Sequence, residues 1–135
     1  MTKKQKSFFE AARVVSTMSN FDRVHIGCVI TDGSHRIISS ASNSNKTHPL
    51  QKKLNKERFA LDTHHSLHAE VSALLPLMKE DIDFSKVEIY THRNCKDNSL
   101  AMARPCQSCM KLIKQLGIRK IWYTTPDGYA CEYVN

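Results

Sequence analysis

Near the N-terminus apolar residues recur at helical spacing. Phe8, Phe9, Ala12, Val15 and Met18 fall on one side of a stretch from about Lys4 to Ser19, which predicts an amphipathic helix. From Val24 to Thr31 the pattern becomes a dense run rich in β-branched residues, VHIGCVIT, closed by Asp32-Gly33. That reads as a strand ending in a turn, with Arg36 to Ala41 as its hairpin partner. Ser42 to Asn55 is polar, contains Pro49, and reads as a loop that turns helical late.

A second helix is expected from about Ser66 to Lys79, with Leu67, Val71, Leu74, Leu75 and Met78 on one side. Pro76 should kink or shorten it. Lys86 to Thr91 (KVEIYT) is a third strand, and His92 to Arg104 a loop leading to Pro105, which suits the first position of a helix. That helix should stop at Gly117, a fitting C-cap. Ile118 to Thr125 is a fourth strand, Pro126-Asp127-Gly128 a tight turn, and Tyr129 to Val134 a returning fifth strand. The order α-β-β-α-β-α-β-β predicts the α/β class: a three-layer α/β/α domain with a mixed five-stranded sheet and helices on both faces.

The chain has 135 residues, enough for one domain spanning 1–135 and too few for two. No stretch approaches the ~18 apolar residues of a membrane helix. The N-terminus lacks the apolar core of a signal peptide, so a soluble, cytoplasmic protein with no membrane partner is expected. The basic N-terminus reads as a solvated helix face. Lys plus Arg exceed the acids by seven, which suggests an anionic partner without naming it. Five cysteines, an odd number, suit a reduced compartment.

Two segments carry candidate chemistry: His68-Ala69-Glu70 and Pro105-Cys106-Gln107-Ser108-Cys109. Each opens an expected helix of a strand–helix crossover. In such sheets sites collect beyond the C-terminal strand ends, where those helices begin, so the two segments should meet on one sheet edge. Cys106 and Cys109, at i and i+3, share a helical face, and the helix N-terminus favours their thiolates. They make a two-thiolate clamp for Zn2+, with His68 as third ligand. Three protein ligands and one open position define a catalytic zinc site, whose water is acidified by the metal. Glu70 could sit beside that water without ligating the metal, take its proton and later protonate departing ammonia. Two plainer readings stand beside this one. A structural zinc site would need a fourth ligand, and Cys95, His64 or His65 could supply it. A C-x-x-C pair alone could also be a redox dithiol.

H-x-E followed by P-C-x-x-C is the signature of the zinc nucleobase deaminases, and both segments match it at every fixed position. The chain resembles the zinc-dependent cytidine/deoxycytidylate deaminase superfamily from about Val24 to Val134. The resemblance implies a cytidine deaminase-like fold, zinc ligands His68, Cys106 and Cys109, and Glu70 as proton shuttle. It also implies Asn43 as a substrate contact, with Asn45 a nearby competitor, and Ala69 facing the base through its backbone. Relatives with this fold often assemble, so a homo-oligomer is expected. A histidine ligand looks more like the deoxycytidylate deaminases, whereas the final hairpin around Asp127-Gly128 resembles the free-nucleoside branch. The expected reaction is hydrolytic deamination of a cytosine nucleotide or nucleoside to uracil, with deoxycytidylate placed ahead. The alternative is base deamination, of cytosine or adenine, in single-stranded DNA or RNA.

Other residues receive lesser readings. Arg104, next to the zinc helix, is the cation most expected near a substrate phosphate. Lys46 to Arg58 is strongly basic and reads either as a solvated face or as attraction for phosphate. His64 and His65 read as surface residues or phosphate contacts. Cys28 and Cys131 read as core residues, Cys95 as an unassigned loop thiol, and Trp122 and Tyr123 as packing residues of the fourth strand.

Overall fold

The protein is represented by a computed structural model that describes residues 1–21, 24–58 and 66–135. Helix α1 (Lys3–Ser16) starts at a capping box. The Gln5 backbone N–H donates to Thr2 Oγ1 at 3.1 Å, and the Thr2 N–H to Gln5 Oε1 at 2.9 Å. Two orphan donors of the first turn are thereby satisfied. Strands β1 (Ile26–Thr31) and β2 (Ile37–Ser42) form the expected hairpin. Then follow β3 (Ser44–Thr47), α2 (Pro49–Arg58), β4 (Ser66–Leu67) and α3 (Ala69–Leu74). Strand β5 (Glu88–Arg93), α4 (Gln107–Leu116), β6 (Lys120–Thr125) and β7 (Gly128–Tyr133) complete the chain.

The main sheet has five strands in the order β2-β1-β5-β6-β7. Strands β5 and β6 are parallel, joined by the α4 crossover, and the other neighbouring pairs are antiparallel. The sheet is mixed, as expected, and the final hairpin is antiparallel. Helix α1 covers one face and α3 with α4 the other, while α2 packs against α4. This is the expected three-layer arrangement.

Residue type explains the close fit of α1. Phe8, Phe9 and Ala12 are buried against Tyr90 and Trp122 of the sheet. Phe9 meets Tyr90 edge-on at 5.3 Å, and Tyr90 stacks on Trp122 at 5.5 Å. The helix backbone crosses directly over Gly27, where an added Cβ would lie 1.9 Å from the Ala12 carbonyl oxygen. Only glycine admits that approach. At the far end of α4, Gly117 takes φ 92° and closes the helix in the left-handed conformation.

Several expectations need correction. Ser42–Asn55 holds β3 and much of α2 rather than a loop. Helix α1 ends before Met18, which is 71 % exposed. Pro76 shortens the helix as expected, but Met78, expected on its apolar side, falls in a following 3-10 turn with 39 % of its surface exposed. Pro105 stands before the N-cap, which is Cys106 itself. Cys28 is buried, but Cys131, on the edge strand β7, is exposed. Trp122 and Tyr123 are packed, each 9 % exposed. No helix among the described residues is long and apolar enough to cross a membrane.

Candidate active site

The edge of the sheet where β5 ends and β1 begins gathers both signature segments. His68 is the N-cap of α3 with extended backbone, and its side chain makes no cap bond. Its ring is turned instead towards the start of α4. His68 Nδ1 lies 3.2 Å from Cys109 Sγ and 3.4 Å from Cys106 Sγ. Ligands around one tetrahedral zinc, with bonds of about 2.0–2.3 Å, sit roughly 3.6 Å apart. One nitrogen and two sulfurs at this spacing therefore fit a zinc ion with little adjustment. Among the described residues the group that could hold a metal comprises His68, Cys106 and Cys109. Cys95 is exposed and outside that group. His64 and His65 lie outside the described residues.

The loop that delivers Cys106 is pinned by buried threonines. Thr91 Oγ1 donates to the Ala103 carbonyl at 2.8 Å, and Thr124 Oγ1 to the Ala101 carbonyl at 2.7 Å. The backbone reciprocates: Ala101 N–H donates to Arg93 O and Ala103 N–H to Thr124 O, both at 2.9 Å. Threonine suits these strand ends because its methyl packs while its hydroxyl bonds the passing loop.

The electrostatics of the cluster favour a cation. Hydrogen bonding from the Cys109 side chain, aided by His68, pulls the Cys106 thiol down to about 3, against the effect of burial. Cys109 moves the other way, chiefly through that same bond to Cys106 and then through burial. Glu70 is buried, 5 % exposed, in the first turn of α3 two residues after His68. Burial is the main influence on its carboxyl and raises it above the usual value, with His68 opposing. A carboxylate held out of water takes up a proton more readily than a solvated one.

A cleft of about 220 Å³ opens over these groups, lined by Asn43, His68, Ala69, Glu70, Arg104 and Cys106 together with Ile26, Arg93, Met102 and Ala103. Every site residue expected from the sequence except Cys109, which lies beneath it, lines this cleft. Asn43 is heavily engaged in the fold. Its Oδ1 accepts from Ile26 N–H at 2.9 Å and Ser19 Oγ at 2.6 Å, and its Nδ2 donates to Val24 O at 2.7 Å. One Nδ2 hydrogen is left without a partner among the described residues. Asn45 is exposed and does not line the cleft. Arg104 forks onto Glu132, with Nε at 2.9 Å and Nη2 at 2.8 Å from its two oxygens. Tyr123 donates to the same carboxylate at 3.0 Å.

Sequence reasoning missed Arg93. It ends β5 and lines the cleft, and among the described residues no carboxylate pairs with it. The usable signal was its position, since side chains at the C-terminal ends of crossover strands face such sites.

Known proteins are similar in sequence pattern and in fold. The family described as the cytidine and deoxycytidylate deaminase zinc-binding region matches residues 1–125. No curated protein matches the chain. Among solved structures, the dCMP deaminase of the cyanophage S-TIM5 in apo form superposes with a TM-score of 0.64 at 22 % identity, covering 91 % of this chain and 84 % of that one. A cytidine deaminase from Burkholderia pseudomallei gives 0.67 at 14 % identity, over 99 % and 94 % of the two chains. That of Mycobacterium leprae gives 0.58 at 16 %, over 94 % and 92 %. At these identities the likeness is one of fold. The family match covers both signature segments, and the fold brings their side chains onto one cleft, so this chain belongs to the cytidine and deoxycytidylate deaminase zinc-binding family.

Proposed function

We propose that the protein is a zinc-dependent hydrolase that deaminates a cytosine nucleotide or nucleoside, with deoxycytidylate the preferred substrate. The observation that carries this reading is the buried Glu70 carboxyl, which lines the same cleft as His68 and Cys106 of the His68–Cys106–Cys109 triangle. A structural zinc site has no use for a buried carboxylate opening onto a cleft.

The ligands His68, Cys106 and Cys109 would hold zinc, which as a Lewis acid makes an attacking water acidic near neutral pH. Glu70 accepts the proton that this water loses. It delivers that proton to the ring nitrogen beside C4 of cytosine, and a later one to the amino group, which leaves as ammonia. The C4–N bond breaks and a C4–O bond forms, giving uracil with no change of oxidation state. Ala69, fully buried at the start of α3, and the remaining Nδ2 hydrogen of Asn43 orient base and sugar. The cleft volume lies below the roughly 300–1,000 Å³ of sites for larger ligands, so it suits one base.

Support for a phosphate on the substrate comes from Arg93. Arg104, the cation favoured from sequence, is held by Glu132, whereas Arg93 lines the cleft without such a carboxylate among the described residues. The exposed Lys46, Lys52, Lys53 and Lys56 favour the second reading, a polynucleotide substrate.

Ammonia release across cytidine, deoxycytidine, their mono- and triphosphates, single-stranded DNA, RNA and adenosine-containing tRNA tests the assignment. Turnover should be highest with deoxycytidylate and change modestly with salt. Preference for a strand, with binding that weakens steeply as salt is added, would favour the polynucleotide reading. Turnover of none of them would remove the enzymatic one.

A further inference from the structure

Helix α2 interrupts the stretch whose composition predicts a polar loop, and it buries an unusual face. Gln51 is fully buried, Asn55 is 3 % exposed and Leu54 6 %, while Lys52, Lys53 and Lys56 point outwards. A buried primary amide is costly unless its hydrogen bonds are made, and here they lead to the metal site. Gln51 Oε1 accepts the backbone N–H of His68 at 3.1 Å, and Gln51 Nε2 donates to Asn55 Oδ1 at 2.9 Å, one turn along the helix. The chemistry orients the first amide, because a backbone N–H can be met only by the oxygen. Its nitrogen then faces Asn55, which must present oxygen.

His68 needs such support because of where it stands. As the N-cap of α3 its N–H lies outside the helical ladder, and its ring, turned to the two sulfurs, makes no cap bond. Its carbonyl is held from the other side by Ser72 N–H at 3.0 Å. Gln51 and Ser72 thus grip the backbone of the ligand residue at both ends. Helix α2 also packs against α4, the helix that carries Cys109.

We propose that Gln51 is a positioning residue of the metal site: it fixes the backbone of His68, with Asn55 as its anchor, so that Nδ1 meets the two thiolates. The inference rests on the reading of His68, Cys106 and Cys109 as metal ligands. It makes α2 part of the metal site's framework.

The test is metal binding by the full chain, with cobalt as the probe. Cobalt affinity is measured by chelator competition, and the thiolate-to-cobalt and ligand-field bands report ligand geometry. Gln51→Met keeps the shape but removes the acceptor, and Gln51→Glu restores an acceptor for the His68 N–H. The expected result is a loss of affinity of about 10–100-fold in Gln51→Met, the usual effect of removing a partner that orients a metal ligand, with altered ligand-field bands. Gln51→Glu should recover most of both. A folded Gln51→Met that binds cobalt with unchanged affinity and spectrum overturns the proposal. If that variant does not fold, Asn55→Ala decides in the same assay: weaker binding with altered bands supports the proposal, and unchanged binding overturns it. Failure of the unsubstituted protein to bind cobalt through thiolates would instead overturn the metal-site reading itself.

Discussion

The two faces of the central sheet solve different problems. Under α1 the sheet presents rings: Tyr90 and Trp122 lie stacked, and Phe8 and Phe9 close over them. The helix approaches until its backbone meets Gly27. On the opposite face and at its edge, the start of α3, the loop before α4 and one side of α2 bury polar groups: Glu70, Thr91, Gln51 and Asn55. Neighbours in one strand show the contrast. His92 faces the α1 side, as Tyr90 does two residues earlier, while Arg93 ends the strand in the cleft. One face is built from apolar contacts that tolerate no extra volume. The other carries the larger aliphatic core and, at its edge, the hydrogen bonds that hold reactive groups in place.

If that division is right, the faces should fail separately. The largest effect on the fold is expected from Gly27→Ala, which forces a methyl group into the Ala12 carbonyl. It should cost about 3 kcal/mol or more, seen in denaturant unfolding, while protein that remains folded keeps its metal affinity. On the other face, Arg93→Ala should leave unfolding nearly unchanged. It should lower kcat/KM for deoxycytidylate by about ten- to hundredfold, the value of a hydrogen bond to a charged group, and leave deoxycytidine within about twofold. Equal losses for both substrates would show that Arg93 does not meet the phosphate.

The smallest effect concerns His92. Its Nε2 lies 2.7 Å from Asn94 Oδ1, while Nδ1 is buried without a partner among the described residues. Burial lowers its pKa below the ordinary 6.5, with the Asn94 bond opposing, Arg13 assisting and Glu10 opposing. The unfolded chain therefore takes up this proton at higher pH than the folded one. Stability contributed by neutral His92 is full above about pH 6.5 and is lost as pH falls through that value towards the folded pKa. His92→Asn should flatten that part of the unfolding profile, measured by urea titration between pH 7.5 and 5.5.

The chemistry was legible in the chain because it depends on residue types at fixed spacing. H-x-E and P-C-x-x-C single out His68, Cys106 and Cys109, which the fold brings within reach of one metal ion, with Glu70 buried beside them, and the turn residues Asp32-Gly33 and Gly117 mark element ends correctly. Helix α2 was legible only as a late helical turn, since Gln51 and Asn55 of its buried face contribute no hydrophobic period. Cys131 failed for another reason. Alternation along β7 shows which residues share a face, but not whether anything covers that face. Arg104 lines the cleft as expected, but its pairing with Glu132, 28 residues away across the β6–β7 hairpin, was not legible. Arg93 is an ordinary basic residue until strand register brings it to the cleft.

The central claim is that Glu70 moves protons for a reaction at the site formed by His68, Cys106 and Cys109. Glu70→Gln tests it most directly, because the amide keeps the shape and loses the base. Zinc content and ammonia release from deoxycytidylate should be measured on the same preparations. The account predicts equal zinc in both proteins and a fall in turnover of at least ~100-fold in the variant. A zinc-loaded variant that releases ammonia at the rate of the unsubstituted protein would contradict it.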